Sequence, residues 1–436
     1  MTESLVGFGA LFTLIFLRMP IGFAMALVGT VGFALMVDWG PALAMLRQNT
    51  FDAGFSYSLS VLPLFILMGN LVTRAGISTE LYQAAHAFLG HRRGGLAMAS
   101  VVACGGFSAV CGSSLATAAT MSKVAMPPMR SFGYADSLAA GSIAAGGTLG
   151  ILIPPSVIMV IYGLLTQSDI GKLFIAGIVP GLLGVLLYVA AIAVVTRIDP
   201  RQGPPGERMP WGKRLRALRG VAGMLILFTV IMGGIYGGLF TPTEAAGVGA
   251  FAAFVMALVR GRLTVPVFLD LLVDSARTTA MLFVVIIGAL LFANFVTFAG
   301  FADALRDWIL DLDVSAIVVM LAIVAIYLVL GCVLESLSMI LLTVPIFYPI
   351  VMELDFGLAD PELVLVWFAV IVVVATEISL ISPPIGMNVF VLRGVLTDVP
   401  LATIFRGVLP FVVSDFVRLA LIIAFPALTL LLPSLM

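Results

Sequence analysis

Two proline pairs mark the places where this chain can do chemistry. Pro154-Pro155 closes GGTLGILIPPS (146–156), and Pro383-Pro384 sits within ATEISLISPPIGMN (375–388); both interrupt long apolar runs. Each pair removes two backbone donors and bends its helix. Carbonyls freed at membrane depth are tolerated only beside protein or a water-filled cavity. With neighbouring hydroxyls they form the hard oxygen set that suits a desolvated Na⁺, and the half-helix N-termini beside them favour a carboxylate. The plain alternative is a proline kink between packed helices. One such break reads that way; two at matched positions point to ligands.

Two further polar spots lie midway along apolar stretches. CGSSLAT (111–117) is near the centre of 94–128, and LESLS (334–338) near the centre of 314–352. Both stretches are long enough to enter the membrane and return to the same face. Small polar residues at the midpoint suit the tip of a re-entrant hairpin, where Ser113, Ser114, Glu335 and Ser336 would meet the broken helix of the same half. The alternative is two ordinary spans joined by a surface turn. Glu335 and Glu377 are then either headgroup-depth residues or intramembrane carboxylates, and the latter are costly and usually functional. TPTE reads as an N-cap at Thr241, proline at N1 and Glu244 at N3. Asp415 and Arg418, three apart, can pair on one helix face, in a structural role. His86 and His91 lie in a basic amphipathic stretch near one surface. They are not spaced as metal ligands and serve no nucleophile at membrane depth, which argues against an enzyme.

The elements that must position these residues follow from composition. The 436 residues are 61% hydrophobic and 10% charged, with mean hydropathy +1.20. Soluble domains carry about 25% charged residues, so lipid must be the solvent for much of this chain. The net charge of -1 excludes a nucleic-acid partner, which needs a basic face. Cys104, Cys111 and Cys332 lie in apolar or small-residue runs without a CxxC pair and read as buried thiols. Glu3 precedes the first apolar run and no basic n-region exists, so no cleavable signal is expected.

A span needs roughly 20 apolar residues. The candidates are 4–18, 21–37, 58–73, 133–165, 171–195, 220–240, 243–259, 278–298, 363–393 and 407–432. The segment 197–219, rich in Arg, Lys and Pro, reads as a soluble linker that splits the chain near its middle. VTxAG recurs in 71–76 and 295–300 at offset 224; Pro20 and Pro242 align at 222, the Pro-Pro pairs at 229, and Pro180 and Pro410 at 230. Four matches in one order with a nearly constant offset indicate internal duplication. The expected organisation is a first repeat at 1–196 (hairpin about 94–128, broken helix about 133–165), the linker, and a second repeat at 220–436 (hairpin about 314–352, broken helix about 363–393). Five spans per half, plus a hairpin that returns, make the second repeat inverted. With the N-terminus outside, eighteen Arg and Lys fall inside and only Arg47, Lys172 and Arg306 outside, as positive-inside sorting requires. Asp303, Asp307, Asp311, Asp313, Glu353, Asp355, Asp360 and Glu362 cluster outside. Both termini are thus expected in the periplasm.

Five segments in order resemble the large membrane subunit of tripartite ATP-independent periplasmic (TRAP) transporters: GGFSAVCGSSLATAAT, GGTLGILIPPS, IGKLFIAGIVPGLL, GGLFTPTEAAGVGA and EISLISPPIGMNVFV. The resemblance covers nearly the whole chain. It implies an all-α polytopic fold of the elevator type and Na⁺-coupled import of a small carboxylate across the bacterial inner membrane. No cofactor is implied beyond Na⁺ as the coupling ion. The implied partners are a small four-helix membrane subunit, expected as a separate chain, and a periplasmic substrate-binding protein. Carried onto this sequence, the family's ion sites fall on Ser113 and Ser114 with Gly147, Thr148, Gly150 and Ser156, and on Glu335 and Ser336 with Thr376, Ser379 and Ser382. Where this chain reads CGSSLAT, many dicarboxylate-type members have a different small-residue run, so the substrate stays open. The runner-up reading is a stand-alone ion-coupled carboxylate carrier without a binding protein.

Overall fold

A computed structural model describes residues 2–312, 314–358 and 360–436; Asp313 lies outside them. Among the described residues the chain forms α-helices and short 3-10 turns, with no strand. Arg18, at φ 68°, and Pro20 separate α1 (Thr2–Phe16) from α2 (Ile21–Met36). These two helices are antiparallel: Gly7 near the start of α1 and Gly32 near the end of α2 both abut Phe295. The first half continues through α3 (Trp39–Phe55), α4 (Val61–Arg74), α5 (Ile77–Leu89), α6 (Gly95–Cys111), α7 (Ser114–Ser131), α8 (Asp136–Thr148), α9 (Val157–Thr166) and α10 (Ile170–Ile198). The second half holds α11 (Trp211–Tyr236), α12 (Pro242–Val259), α13 (Val265–Phe298), α14 (Phe301–Asp311), α15 (Ala316–Leu330), α16 (Ser336–Glu353), α17 (Pro361–Ile381), α18 (Met387–Val395), α19 (Leu401–Ala424) and the short α20 (Ala427–Leu430).

The order of elements recurs. α1, α2 and α5–α10 have their counterparts in α11, α12 and α14–α19. The counterpart of α3 and α4, which are bent by 57° at their junction, is the single 34-residue α13. Local backbone devices recur with it. Gly76 and Gly300 start α5 and α14 in the left-handed region, at φ 81° and 66°, where a side chain would be strained. Pro127 in α7 and Pro349 in α16 are 222 apart, the offset of Pro20 and Pro242. The capping box read from TPTE is present: Glu244 N donates to Thr241 Oγ1 at 3.3 Å, and Thr241 N to Glu244 Oε2 at 2.8 Å.

Buried contacts set α17 at the centre; its most apolar stretch is wholly covered by protein. The Tyr162 hydroxyl of α9 donates to Leu365 O at 2.8 Å, and Trp367 Nε1 to Ile422 O of α19 at 2.9 Å. Around this core α2 lies along α13, with Gly22 and Gly288 in backbone contact and Gly29 against Leu291. By contrast, the faces of α10, α11, α12 and α19 are largely exposed, as lipid-facing helices are. The segment after α10 does not hang free. Gly94 N donates to Gly203 O at 2.8 Å, Gly206 N to Gly90 O at 2.9 Å and Ala135 N to Gln202 O at 3.0 Å, so it is tied to the base of the α6–α7 hairpin.

Most ion pairs are partly exposed and tie neighbouring elements together. Arg130 binds Asp136 and Asp398, and Arg260 binds Glu80, with Arg262 beside Gly76. Elsewhere Lys172 binds Glu362 at 2.6 Å, and Arg306 meets Asp303, Asp307 and Glu353.

Candidate functional site

Each hairpin turns on a residue that caps the helix after it. Gly112, at φ 63°, ends α6, and the Ser113 Oγ accepts from Ala116 N at 3.4 Å to start α7. In the second half Glu335 caps α16, its Oε1 accepting from Ser338 N at 3.3 Å and Ser338 Oγ at 2.9 Å. The two caps stand 222 apart, the spacing of Pro20 and Pro242. One tip therefore presents hydroxyls and the other a carboxylate beside a hydroxyl, Ser336.

The breaks sit against the tips because glycines let them approach. A Cβ on Gly150 would lie 3.0 Å from the Ser113 carbonyl, and one on Gly147 2.9 Å from Ala118 Cβ. A Cβ on Gly112 would lie 3.3 Å from the Pro155 carbonyl oxygen. In the second half a Cβ on Gly331 would collide with Ser379 Oγ. Both Pro-Pro bonds are cis. Pro154 and Pro155 are buried, whereas Pro383 and Pro384 are exposed, so the first break is covered and the second is open.

The hydroxyls of the breaks have their protons engaged. Thr148 donates to Ala145 O at 2.7 Å, Thr376 to Val372 O at 2.8 Å, Ser379 to Thr376 O at 2.7 Å and Ser382 to Ile378 O at 2.7 Å. Ser156 donates to Ile151 O and accepts from Met159 N at 3.3 Å, capping α9. A hydroxyl that has given its proton away can offer only lone pairs. That is the electrostatic character a cation requires. Among the described residues no three His, Cys, Asp or Glu come together as metal ligands.

A cavity of about 350 Å³ joins these parts. Ser113 and Ser114 line it from one tip, Glu335 and Ser336 from the other. Ile151 and Val157 flank it from the first break, Leu380 and Met387 from the second. Its far wall is Gly69 and Asn70 of α4 with Thr278 and Leu282 of α13. Gly147, Thr148, Gly150, Ser156, Thr376, Ser379 and Ser382 do not line it. They stand behind the tips, all buried except the half-buried Ser382.

Three polar residues of this region escaped the sequence reading. Asn70 donates to Ser275 Oγ at 2.8 Å, tying α4 to α13 at the cavity wall, and Thr278 lines it. Buried Asn388 of α18 donates to Ala144 O of α8 at 3.1 Å. Asn70 and Asn388 are polar side chains in apolar runs, the signal that marks intramembrane function; Thr278 sits at the polar edge of one.

Glu377 and Arg418 resolve as partners. They form a buried ion pair between α17 and α19, and Arg418 also meets Asp415 at 2.8 Å. The Tyr188 hydroxyl of α10 donates to Asp415 Oδ2 at 2.5 Å.

Residues 8–428 match the family described as tripartite ATP-independent periplasmic transporter, DctM component. The chain is 37% identical over 409 residues to the C4-dicarboxylate TRAP transporter large permease protein DctM of Pseudomonas aeruginosa, covering 93% of each. It is 34% identical over 424 residues to the sialic acid TRAP transporter large permease protein SiaM of Vibrio cholerae, covering 97% of this chain and 96% of that one. In fold it is similar to the YdaH transporter of Alcanivorax borkumensis, with TM-score 0.65, 16% identity and 90% of each chain covered.

Proposed function

The chain belongs to the DctM component family of tripartite ATP-independent periplasmic transporters, and we propose that it is the permease importing a small organic acid across the bacterial inner membrane, driven by Na⁺. The observation that carries this reading is the cavity where both hairpin tips and both broken helices face α4 and α13. Relatives named for C4-dicarboxylates and for sialic acid share a carboxylate as cargo, and this chain takes one of that class. A cavity of about 350 Å³ is near the lower end of small-molecule sites, about 300–1,000 Å³.

Na⁺ binds behind the tips, between the hydroxyls at Ser113–Ser114 and the 147–156 break, and between Glu335–Ser336 and the 376–382 break. Back-bonded hydroxyls support this, because their remaining lone pairs suit a hard cation. A bound cation orders each tip and lowers the cost of placing an anion beside Glu335. The tips and broken helices move as one body past α4 and α13, exposing the cavity to each face in turn. A periplasmic binding protein delivers the substrate, and a small four-helix membrane subunit braces the static part. The halves are inverted, with both termini periplasmic, and the Arg and Lys distribution supports that orientation.

The test is uptake into liposomes by the permease with its small subunit and binding protein. The probe is the carboxylate that most raises the binding protein's melting temperature. Uptake is expected only with an inward Na⁺ gradient and the binding protein present. Undiminished uptake with K⁺ in place of Na⁺ overturns the coupling. Full uptake without the binding protein favours a stand-alone carrier.

A further inference from the structure

Five fully buried polar side chains form one connected chain through the core: Thr148, Tyr188, Asp415, Arg418 and Glu377. Thr148 Oγ1 and the Tyr188 hydroxyl lie 3.2 Å apart; because Tyr188 gives its own proton to Asp415, this link uses the Thr148 proton, shared with Ala145 O at 2.7 Å. Tyr188 donates to Asp415 Oδ2 at 2.5 Å; Arg418 Nη2 stands 2.8 Å from Asp415 Oδ1 and also binds Glu377 Oε2. The chain thus runs from α8 through α10 and α19 to α17.

Its members occupy the repeat's own register. Thr148 and Glu377 are 229 apart, the offset of the Pro-Pro pairs, and each stands six residues before the first proline of its break. Tyr188 and Arg418 are 230 apart, the offset of Pro180 and Pro410. Each half therefore contributes the same pair: a polar residue just before the break and a long polar side chain on the helix after it. In the first half the pair is neutral, in the second charged. Asp415 joins the two. Glycine makes room for the charged member, since a Cβ on Gly184 would collide with Arg418 Nη1. Asn388 supplies a parallel tie, from α18 to Ala144 O of α8.

We infer that this chain of side chains is a clasp that holds the two broken helices in fixed mutual position, so that the ion site behind one hairpin tip is set by the geometry of the other half. The members do not line the cavity; Tyr188, Asp415, Arg418 and Glu377 are positioning residues acting through the breaks, while Thr148 also belongs to the proposed ion site. A buried ion pair in an apolar core is poor value as stability alone, because apolar packing does as well or better. Its use is specificity of arrangement. The ion arm of the clasp's consequence rests on the Na⁺ reading above; the rigidity arm does not.

Two measurements on the full chain in nanodiscs test it, in a background with the three cysteines replaced. Spin labels at Gln167→Cys, just after α9, and Thr397→Cys, just after α18, report the distance between the broken helices. The parent should give one narrow distribution. Tyr188→Phe, Asp415→Asn and the milder Thr148→Val should each widen it at least twofold, while Thr148→Ser, which keeps the hydroxyl, should match the parent. In the second measurement Na⁺ protects Leu115→Cys, at the same tip but outside the proposed ion set, from alkylation. Tyr188→Phe and Asp415→Asn, which leave every hydroxyl of the proposed ion site in place, should raise the protecting Na⁺ concentration about fivefold or more, the scale of one lost hydrogen bond, with full protection still reached. A parent already broad, or variants as narrow as the parent, overturns the clasp. If Na⁺ gives no protection even in the parent, the sodium reading falls, and the distance widths alone decide the clasp.

Discussion

Gly150 lies flat against Ser113: a Cβ at 150 would come within 3.0 Å of the Ser113 carbonyl carbon and oxygen, and 3.1 Å of Ser114 N. The first break and the first hairpin tip are therefore in backbone contact, with no side chain between them. Gly150→Ala must push the tip away by a few tenths of an ångström. Overpacking of this kind costs about 1–3 kcal/mol. On the proposed ion site the change falls on the ligand geometry, so the Na⁺ half-saturation should rise about tenfold, the equivalent of about 1.4 kcal/mol. Gly9→Ala, at a position with open space around it, is the control and should leave uptake unchanged. Equal Na⁺ dependence in Gly150→Ala and the parent would separate the tip from the ion.

Orientation gives a second prediction. Reporter fusions at Pro205 and at Met436 should report the cytoplasm and the periplasm respectively. The segment holding Pro205 is tied to the base of the α6–α7 hairpin through Gly203 and Gly206, so a fusion there should report the side of that end of the first hairpin as well. A cytoplasmic signal from the fusion at Met436 would remove the inversion of the second half.

The cap of α12 gives a prediction for stability alone. Thr241 accepts from Glu244 N, and Glu244 from Thr241 N, outside the cavity lining. Thr241→Ala should cost about 1 kcal/mol, seen as a lower melting temperature in detergent. Substrate KM and Na⁺ half-saturation should be those of the parent. A change in either would mean that α12 takes part in the transport cycle.

Local backbone chemistry made much of this arrangement legible in the sequence. Proline pairs break helices wherever they stand, a Thr-Pro-x-Glu run caps one, and glycine is used where φ turns positive, as at Gly76 and Gly300. Each is a matter of a few neighbouring residues. α3 was not legible, because Arg47, Gln48, Asn49 and Asp52 spoil its hydropathy; it is a helix all the same, bent onto α4. The first turns of α13 were missed for the same reason, with Asp270, Asp274 and Arg277 placing the apolar run at 278 while the helix starts at Val265. The Asp415–Arg418 pair follows from spacing along one helix. Tyr188 against Asp415 crosses between the halves at a separation of 227, and no local pattern encodes a contact of that range.

The final prediction concerns the hairpin tips. Ser113, Ser114, Glu335 and Ser336 line one cavity although they come from opposite halves. Polar side chains at membrane depth cost several kcal/mol unless they are partnered. Here caps engage Ser113 and Glu335, while the cavity receives the rest. Ser114→Ala and Ser336→Ala remove one hydroxyl each and leave the caps in place. Each should weaken Na⁺ activation of uptake about threefold to tenfold, the scale of one lost hydrogen bond, with the amount of protein in the membrane unchanged. Glu335→Ala removes both the cavity carboxylate and the cap of α16. It should reduce uptake further while expression stays measurable, and Glu335→Gln, which can still accept from Ser338, should restore the cap without the charge. The direct check is accessibility: cysteines at 114 and 336 should be reached by bulky impermeant reagents from one face at a time, and be protected by Na⁺ or substrate. If both label freely from opposite faces whatever is bound, the tips are surface turns. The ion sites placed behind them would then have to move elsewhere.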